Sequence, residues 1–377
     1  MKEHMNPIQK YLKNLFAKKR VLGNDAKLTG LAKADAILTS LVNEEKVPGI
    51  SVTVLKKGEI VLQKGYGHAD LEKKIPVHPK KTIFRIASVS KPIAATALAQ
   101  MVADGQIDLD ASLYTYVPYY PRKTYDFTIR QLASHTAGIR GYRGIEYGLN
   151  KPYSIKQGIN VFKDDDLLFE PGTDYFYTSY DWVLISLAMQ EISRIPFEDY
   201  VREKVLSPLG MKNTFVPNVN LGTVEGFSDG KAASNTLDLT AFYSKNRKGF
   251  RKAIPVNNFF KMAGGGYLST SDDIAKFGQT YLDGKILFEN VLSQFLTSVV
   301  VKGTPTYYGL GWQVSQDKKG RPFYGHVGNG VGGYSNFFVY PEQQMVFAIL
   351  VNCTSPNIQM ELDEVIDTLL VSCAEES

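Results

Sequence analysis

The sequence predicts an α+β fold, an α/β sandwich in which one antiparallel sheet is flanked by N- and C-terminal helices and a mainly helical stretch is inserted between its halves. Three observations carry this reading. Val- and Ile-rich strands lie near the start of the chain, alternating and β-branched runs return after Gly311, and helical spacing with Pro, Tyr and Gly breaks dominates between about 106 and 261. A chain of 377 residues is long for one core, so two lobes are expected. Residues 1–105 and 262–377 would form the sheet domain, and 106–261 the inserted helical domain.

The chain opens with MKEHMNPIQKYLKNLFAKKR, where Ile8, Tyr11, Leu12, Leu15 and Phe16 recur at helical spacing among lysines. Such a helix can lie on a membrane surface, but so short a stripe is more simply covered by the protein's own domain. Leu31, Ala34, Ile37, Leu38, Leu41 and Val42 mark a helix that Pro48-Gly49 stops. GISVTVLKKGEIVLQKGYGHAD then reads as two strands joined at Lys57-Gly58. From Ile93 to Val102 a nearly continuous apolar run predicts a buried helix ending at Asp104-Gly105. Helical pieces follow at Ile129–Ala133, Asp181–Ile192 and Phe197–Val205. WQVSQD, RPFYGHVG, GYSNFFVY and MVFAILVNC are the closing strands, and a last amphipathic helix runs from about Asn357 to Val371.

Composition removes several functional classes. Hydrophobic residues make up 44% of the chain, enough for a packed interior. The net charge of +5 comes from 43 basic and 38 acidic residues scattered along the sequence, which does not suggest nucleic-acid binding. Cys353 and Cys373 make neither a disulfide framework nor a zinc site. No run has the length of a membrane span, and no secretion signal is visible. The chain as given reads as cytoplasmic, or as periplasmic or extracellular if a signal has been removed. No His/Asp/Glu group has metal-ligand spacing, Asp164-Asp165-Asp166 reads as a solvated turn, and no cofactor is expected.

Ser-x-x-Lys occurs three times, at Ser88-Lys91, Ser228-Lys231 and Ser315-Lys318. Only the first has a helical context. Proline is tolerated in a first helical turn and costly further in, so Pro92 starts the helix no earlier than about Ser88. Ser88 and Lys91 then share one face at the positive end of a buried helix. A serine hydroxyl needs a base, and a lysine serves only where burial or other cations lower its pKa. Ser228-Lys231 spans a loop, and Ser315-Lys318 runs along a strand whose residues three apart face opposite sides.

Two further segments join this pair. Glu170-PGTDYFYTSYDWVLIS contains Tyr177 and Ser179 before a helix, and Tyr324-GHVGNGVGGYSNFFVY places His326-Val327-Gly328 on a strand before a glycine-rich turn. With IRQLASHTAGI, PLGMKNT, AGGGYLSTSDDIAKF and YGLGW, they resemble, in the right order over about residues 31–370, the serine β-lactamase and penicillin-binding-protein superfamily. The resembling branch holds class C β-lactamases, carboxypeptidases, related esterases and LACTB-type peptidases. The resemblance implies a β-lactamase/transpeptidase-like fold and an acyl-enzyme. Ser88 would be the nucleophile, Lys91 and Tyr177 would move its proton, and Ser179, His326, Gly328 and Asn329 would serve the substrate side. It also puts an oxyanion hole at the backbone N–H groups of Ser88 and Asn329, and it leaves His135 of SHTAGI as a hydrogen-bonded structural residue.

Two departures bear on substrate. His326 stands where β-lactamases commonly have lysine, and an ordinary histidine is mostly neutral at pH 7. Ser179 stands where asparagine is usual, and its shorter hydroxyl keeps part of the hydrogen bonding. Both weigh towards an esterase or peptidase-like enzyme on a small-molecule or peptide substrate over an efficient β-lactamase. D-amino-acid carboxypeptidase and carboxylesterase activities are the alternatives within the fold, and a silent binding or filament-forming protein is the alternative outside catalysis.

Overall fold

The computed structural model describes residues 28–217, 227–228, 231–232, 238–285 and 289–375. The amphipathic segment around Ile8 to Phe16 lies outside the described residues.

Seven antiparallel strands form the main sheet: β1 (Gly49–Lys56), β2 (Glu59–Asp70), β3 (Ile75–Pro76), β4 (Gln313–Gln316), β5 (Pro322–Gly330), β6 (Gly333–Tyr340) and β7 (Met345–Val351). Their order is β4-β5-β6-β7-β1-β2-β3, so both ends of the chain build one sheet, as the sequence predicts. β1 sits between β7 and β2, with Ile50 opposite Val351 on one side and Tyr66 on the other. β1 and β7 are buried along nearly their whole length because helices cover both faces there. The hairpin between β1 and β2 turns at Lys57 and Gly58, both at positive φ, which matches the right-handed twist of the paired strands.

One face lies under α1 (Gly30–Asn43) and the last helix, whose residues Leu38, Leu41, Leu362, Val365 and Leu369 cover Ile50, Val52, Phe347 and Ile349. Alternation sends Ser51 and Thr53 to the other face, where both hydroxyls bond Ser271 Oγ, at 2.8 and 2.9 Å. Ser271 opens a helix, Ser271–Leu282, whose Ile274 and Phe277 join Phe337, Val346 and Ala348 in the larger core.

That larger core also receives α2 (Ser90–Ala103), α3 (Ile129–Ala133) and α4 (Ser179–Ser193) beside α5 (Ser271–Leu282), whereas α6 (Gln359–Glu375), the last helix, packs with α1 on the other face. α2 is buried on nearly every side, which its run of Ala, Ile and Leu anticipates. Residues 106–261 are less uniformly helical than their spacing predicts. They include a pairing of Phe227–Ser228 with Lys231–Ala232 and a hairpin of Tyr243–Asn246 with Gly249–Lys252. Their strands are too short and polar to show period-two alternation. The second is tied to the sheet end by Tyr243, which bridges Cys353.

Candidate active site

Ser88 lies in a tight 3-10 turn, Ala87–Val89, that feeds α2. Ala87 has φ of 45°, a left-handed conformation that costs a residue with a Cβ roughly 1–2 kcal/mol. Two bonds brace this strained corner: Ser90 Oγ donates to Ala87 O at 2.7 Å and accepts from Tyr267 N at 3.1 Å. Pro92 occupies the first turn of α2, where its missing N–H removes no helical bond.

Lys91 is fully buried one turn on. Its Nζ lies 3.2 Å from Ser88 Oγ, 3.3 Å from Ser179 Oγ and 2.7 Å from Gly264 O. Burial lowers its pKa from the ordinary 10.5 to about 7, and nearby Asp181 opposes only part of that shift. A neutral lysine has two N–H donors and one lone pair. Gly264 O and Ser179 Oγ can take the donors, which leaves the lone pair for the Ser88 hydroxyl proton.

Tyr177 completes the group. It stands just before Thr178, whose hydroxyl caps α4 by accepting from Tyr180 N at 3.2 Å. Tyr177 OH donates to Ser88 Oγ at 2.8 Å, and Lys91 Nζ lies 4.6 Å from the centre of its ring. Burial pushes the phenol well above its ordinary pKa, although the Ser88 bond works the other way. Tyr177 is therefore a proton donor at neutral pH, and Lys91 is the group able to accept.

The strand edge of β5 passes directly beside Ser88. A Cβ added at Gly328 would come within 2.3 Å of Ile86 O and of Ser335 Oγ and 3.1 Å from Ser88 N, so only glycine lets the strand approach this closely. Asn329 lies at the cleft, and its side chain is held by Ser355 through Asn329 Nδ2 to Ser355 Oγ at 2.9 Å. Its main chain is left as the part able to meet a substrate.

His326 is placed differently from the other predicted residues. Its imidazole is buried behind Tyr177, ring centres 5.9 Å apart, and does not line the cleft. Nδ1 faces Val327 O at 2.6 Å and Nε2 faces Tyr308 OH at 3.0 Å, so Nδ1 donates and Nε2 accepts. Burial and the neighbouring Lys91 lower its pKa to about 3, which keeps it neutral.

A cleft of about 390 Å³ opens over Ser88, walled by Tyr142, Tyr147, Asn258, Lys261 and Val331. Arg140 shapes this wall from behind: it pairs with Glu146 at 2.6 Å and Asp165 at 2.7 Å and donates to Val161 O at 2.8 Å. Asp165, read from sequence as part of a solvated turn, is thus an anchor of the loop that carries Tyr142 and Tyr147. Among the described residues, no group of three or more His, Cys, Asp or Glu is placed to hold a metal.

Gly264 and Tyr308 were not assigned roles from sequence, whereas His135 is the hydrogen-bonded residue that the resemblance implies. Gly264 supplies the shortest bond to Lys91, and a Cβ there would sit 2.9 Å from Ser179 Cβ, which explains the Gly-rich AGGG run. Tyr308 of YGLGW holds His326. His135 bonds Asp181 at 2.6 Å beneath Tyr177, whose ring lies 4.5 Å away; burial holds both His135 and Asp181 towards their neutral forms.

A serine braced at the start of a buried helix, with a lysine and a tyrosine on its hydroxyl and a sheet edge alongside, defines a serine-hydrolase type of centre. The Beta-lactamase family model matches residues 34–370, and the chain belongs to that family. The resemblance drawn from the motifs and the fold class are both borne out. The chain is 27% identical over 404 residues to the serine beta-lactamase-like protein LACTB, mitochondrial, of Homo sapiens, covering 81% of this chain and 71% of that protein. Among solved structures it is similar to an octameric penicillin-binding protein homologue from Pyrococcus abyssi, with TM-score 0.73, 25% identity, and 86% and 73% of the two chains covered. The D-amino acid amidase from Ochrobactrum anthropi SV3 shares the fold with TM-score 0.76 and 21% identity, over 90% and 98% of the two chains.

Proposed function

We propose that this Beta-lactamase-family serine hydrolase works through an acyl-enzyme on Ser88, acting on an ester or peptide carbonyl more readily than on a β-lactam. The observation that carries the reading is the placement of Ser88 Oγ between Lys91 Nζ, at 3.2 Å, and Tyr177 OH, at 2.8 Å, at the floor of an open cleft.

In the proposed sequence, Ser88 Oγ attacks the carbonyl carbon while its proton passes to neutral Lys91. The backbone N–H groups of Ser88 and Asn329 stabilise the oxyanion. Such a donor is typically worth roughly 3 kcal/mol in the transition state. Collapse breaks the bond to the leaving group, which takes the Tyr177 proton, and Lys91 returns a proton to Tyr177. Water then attacks the acyl carbon as Lys91 takes its proton; the ester bond to Ser88 breaks, the acid product leaves, and Lys91 returns the proton to Ser88 Oγ.

Neutral, buried His326 gives the β5 edge no fixed cation at neutral pH, which favours the ester and peptide reading over antibiotic hydrolysis. The test is incubation with a fluorophosphonate and with a labelled penicillin, location of the adduct by mass, and rates on nitrocefin, p-nitrophenyl esters and D-amino-acid peptides. The expected result is label on Ser88, ester or peptide rates above nitrocefin, and loss of both label and turnover in Ser88→Ala. A folded wild-type protein that takes no label at Ser88 would sink the reading.

A further inference from the structure

Lys261 lies in the cleft wall, 3% exposed, and the mechanism above does not use it. Its Nζ has only long contacts, 3.4 Å to Glu146 O and 3.3 Å to Tyr147 O. The ammonium also lies 4.9 Å from the centre of the Tyr142 ring. Among the described residues no carboxylate is within ion-pair distance of it. The carboxylate of Glu146, which acts on Lys261 through charge alone, is already engaged by Arg140 at 2.6 and 3.1 Å, by Arg143 N at 2.7 Å and by Tyr180 OH at 3.0 Å.

A buried ammonium without a counter-charge is costly, and the cost is tolerated where a ligand supplies the missing anion. The cation is also joined to the reacting centre. Its aromatic neighbour Tyr142 lines the same cleft as Ser179, which receives the bond from Lys91. We propose that Lys261 is the anion-recognition residue of the cleft, so that the substrate acylating Ser88 carries a carboxylate within reach of the Tyr142 wall. This rests on the acyl-enzyme reading above and adds the substrate class to it. Burial lowers the Lys261 pKa to about 8, with Glu146 opposing, so the group is still mostly charged at pH 7. A substrate presenting a free ammonium at that point would meet like charge.

The test compares p-nitrophenyl butyrate with mono-p-nitrophenyl adipate, each corrected for its rate without protein, in wild type, Lys261→Met and Lys261→Arg. Wild type should favour the adipate ester in kcat/KM by tenfold or more. Lys261→Met should cut that preference at least tenfold, chiefly through KM, and Lys261→Arg should keep most of it. Unfolding midpoints of the three proteins report whether the fold is intact. If Lys261→Met lowers both esters alike, or wild type shows no preference, Lys261 is a staple between loops and the inference is overturned. Fluorophosphonate labelling separates the two levels: label on Ser88 without a charge preference removes only this inference, whereas no label removes the acyl-enzyme reading and this inference with it.

Discussion

On the face of the sheet beneath α1 and α6, the buried layer is built almost wholly from aliphatic and aromatic side chains such as Leu38, Val52, Phe347, Ile349 and Leu362. On the opposite face the same strands meet polar partners, beginning with Ser51 and Thr53 on Ser271 and extending to the buried Lys91, His135, Asp181 and His326. The first layer holds the sheet together through area removed from water. The second gives up some of that stability to keep a lysine dry, a tyrosine protonated and a strained turn at Ala87 in place. Both faces carry apolar core, but the buried polar groups around Ser88 are confined to one of them, and variants on the two faces should separate packing from chemistry.

The largest effect is expected at Lys91. Lys91→Met should lower kcat/KM on any accepted ester by about a thousandfold or more, because in the proposed mechanism Lys91 is the base that activates the nucleophile. Stability should respond with a defined sign. Between about pH 7 and pH 10.5 the folded wild type holds less proton on Lys91 than the unfolded chain, so wild-type stability climbs with pH across that window relative to the variant. The gain should be about 2 kcal/mol between pH 7 and pH 9, read as the change in the wild-type minus variant difference in urea unfolding. A difference that does not move with pH would mean that Lys91 is not held neutral by burial.

The outer layer should give the reverse pattern. Leu362 is fully buried on α6, and Leu362→Ala should cost about 2–5 kcal/mol in unfolding free energy through lost contacts and a cavity. Its kcat per labelled Ser88 should stay near wild type, since nothing in that layer touches the cleft. Loss of kcat in the folded fraction would show that the two faces are not separable.

Much of this division is legible in the amino-acid sequence. Period-two runs and the Lys57-Gly58 turn specify the strands, and Pro92 with the apolar run after it specifies both where α2 begins and why Lys91 is unusual. What escapes is whatever depends on segments far apart in the chain. Lys261 looks like any lysine among FFKMAGG until folding removes its solvent and gives it no carboxylate partner among the described residues. His326 occupies its motif position, yet the hydroxyl of Tyr308, 18 residues away, turns it from the cleft into the interior. Asp165 sits in a polar run whose meaning changes only when buried Arg140 reaches it. Hairpins such as Tyr243–Asn246 with Gly249–Lys252 are set by docking against Cys353, which local pattern cannot register.

The smallest effect is expected where the chain departs from the family pattern beside Lys91. Ser179 Oγ accepts a long bond from Lys91 Nζ, at 3.3 Å, while Gly264 O accepts a shorter one at 2.7 Å. In Ser179→Asn, the longer amide can bring its carbonyl oxygen closer to Nζ, and an acceptor placed there favours the ammonium over the neutral amine. The acidic limb of the kcat/KM profile, expected near pH 7 in wild type because Lys91 must be neutral to act, should therefore move upward by a few tenths of a pH unit. The plateau rate at high pH should change by no more than about threefold, because the nucleophile, base and phenol are untouched. A shift of the limb to lower pH would mean that the amide turns its N–H groups towards Lys91. A plateau lowered a hundredfold would mean that the hydroxyl of Ser179 is itself part of the proton path between Lys91 and the leaving group.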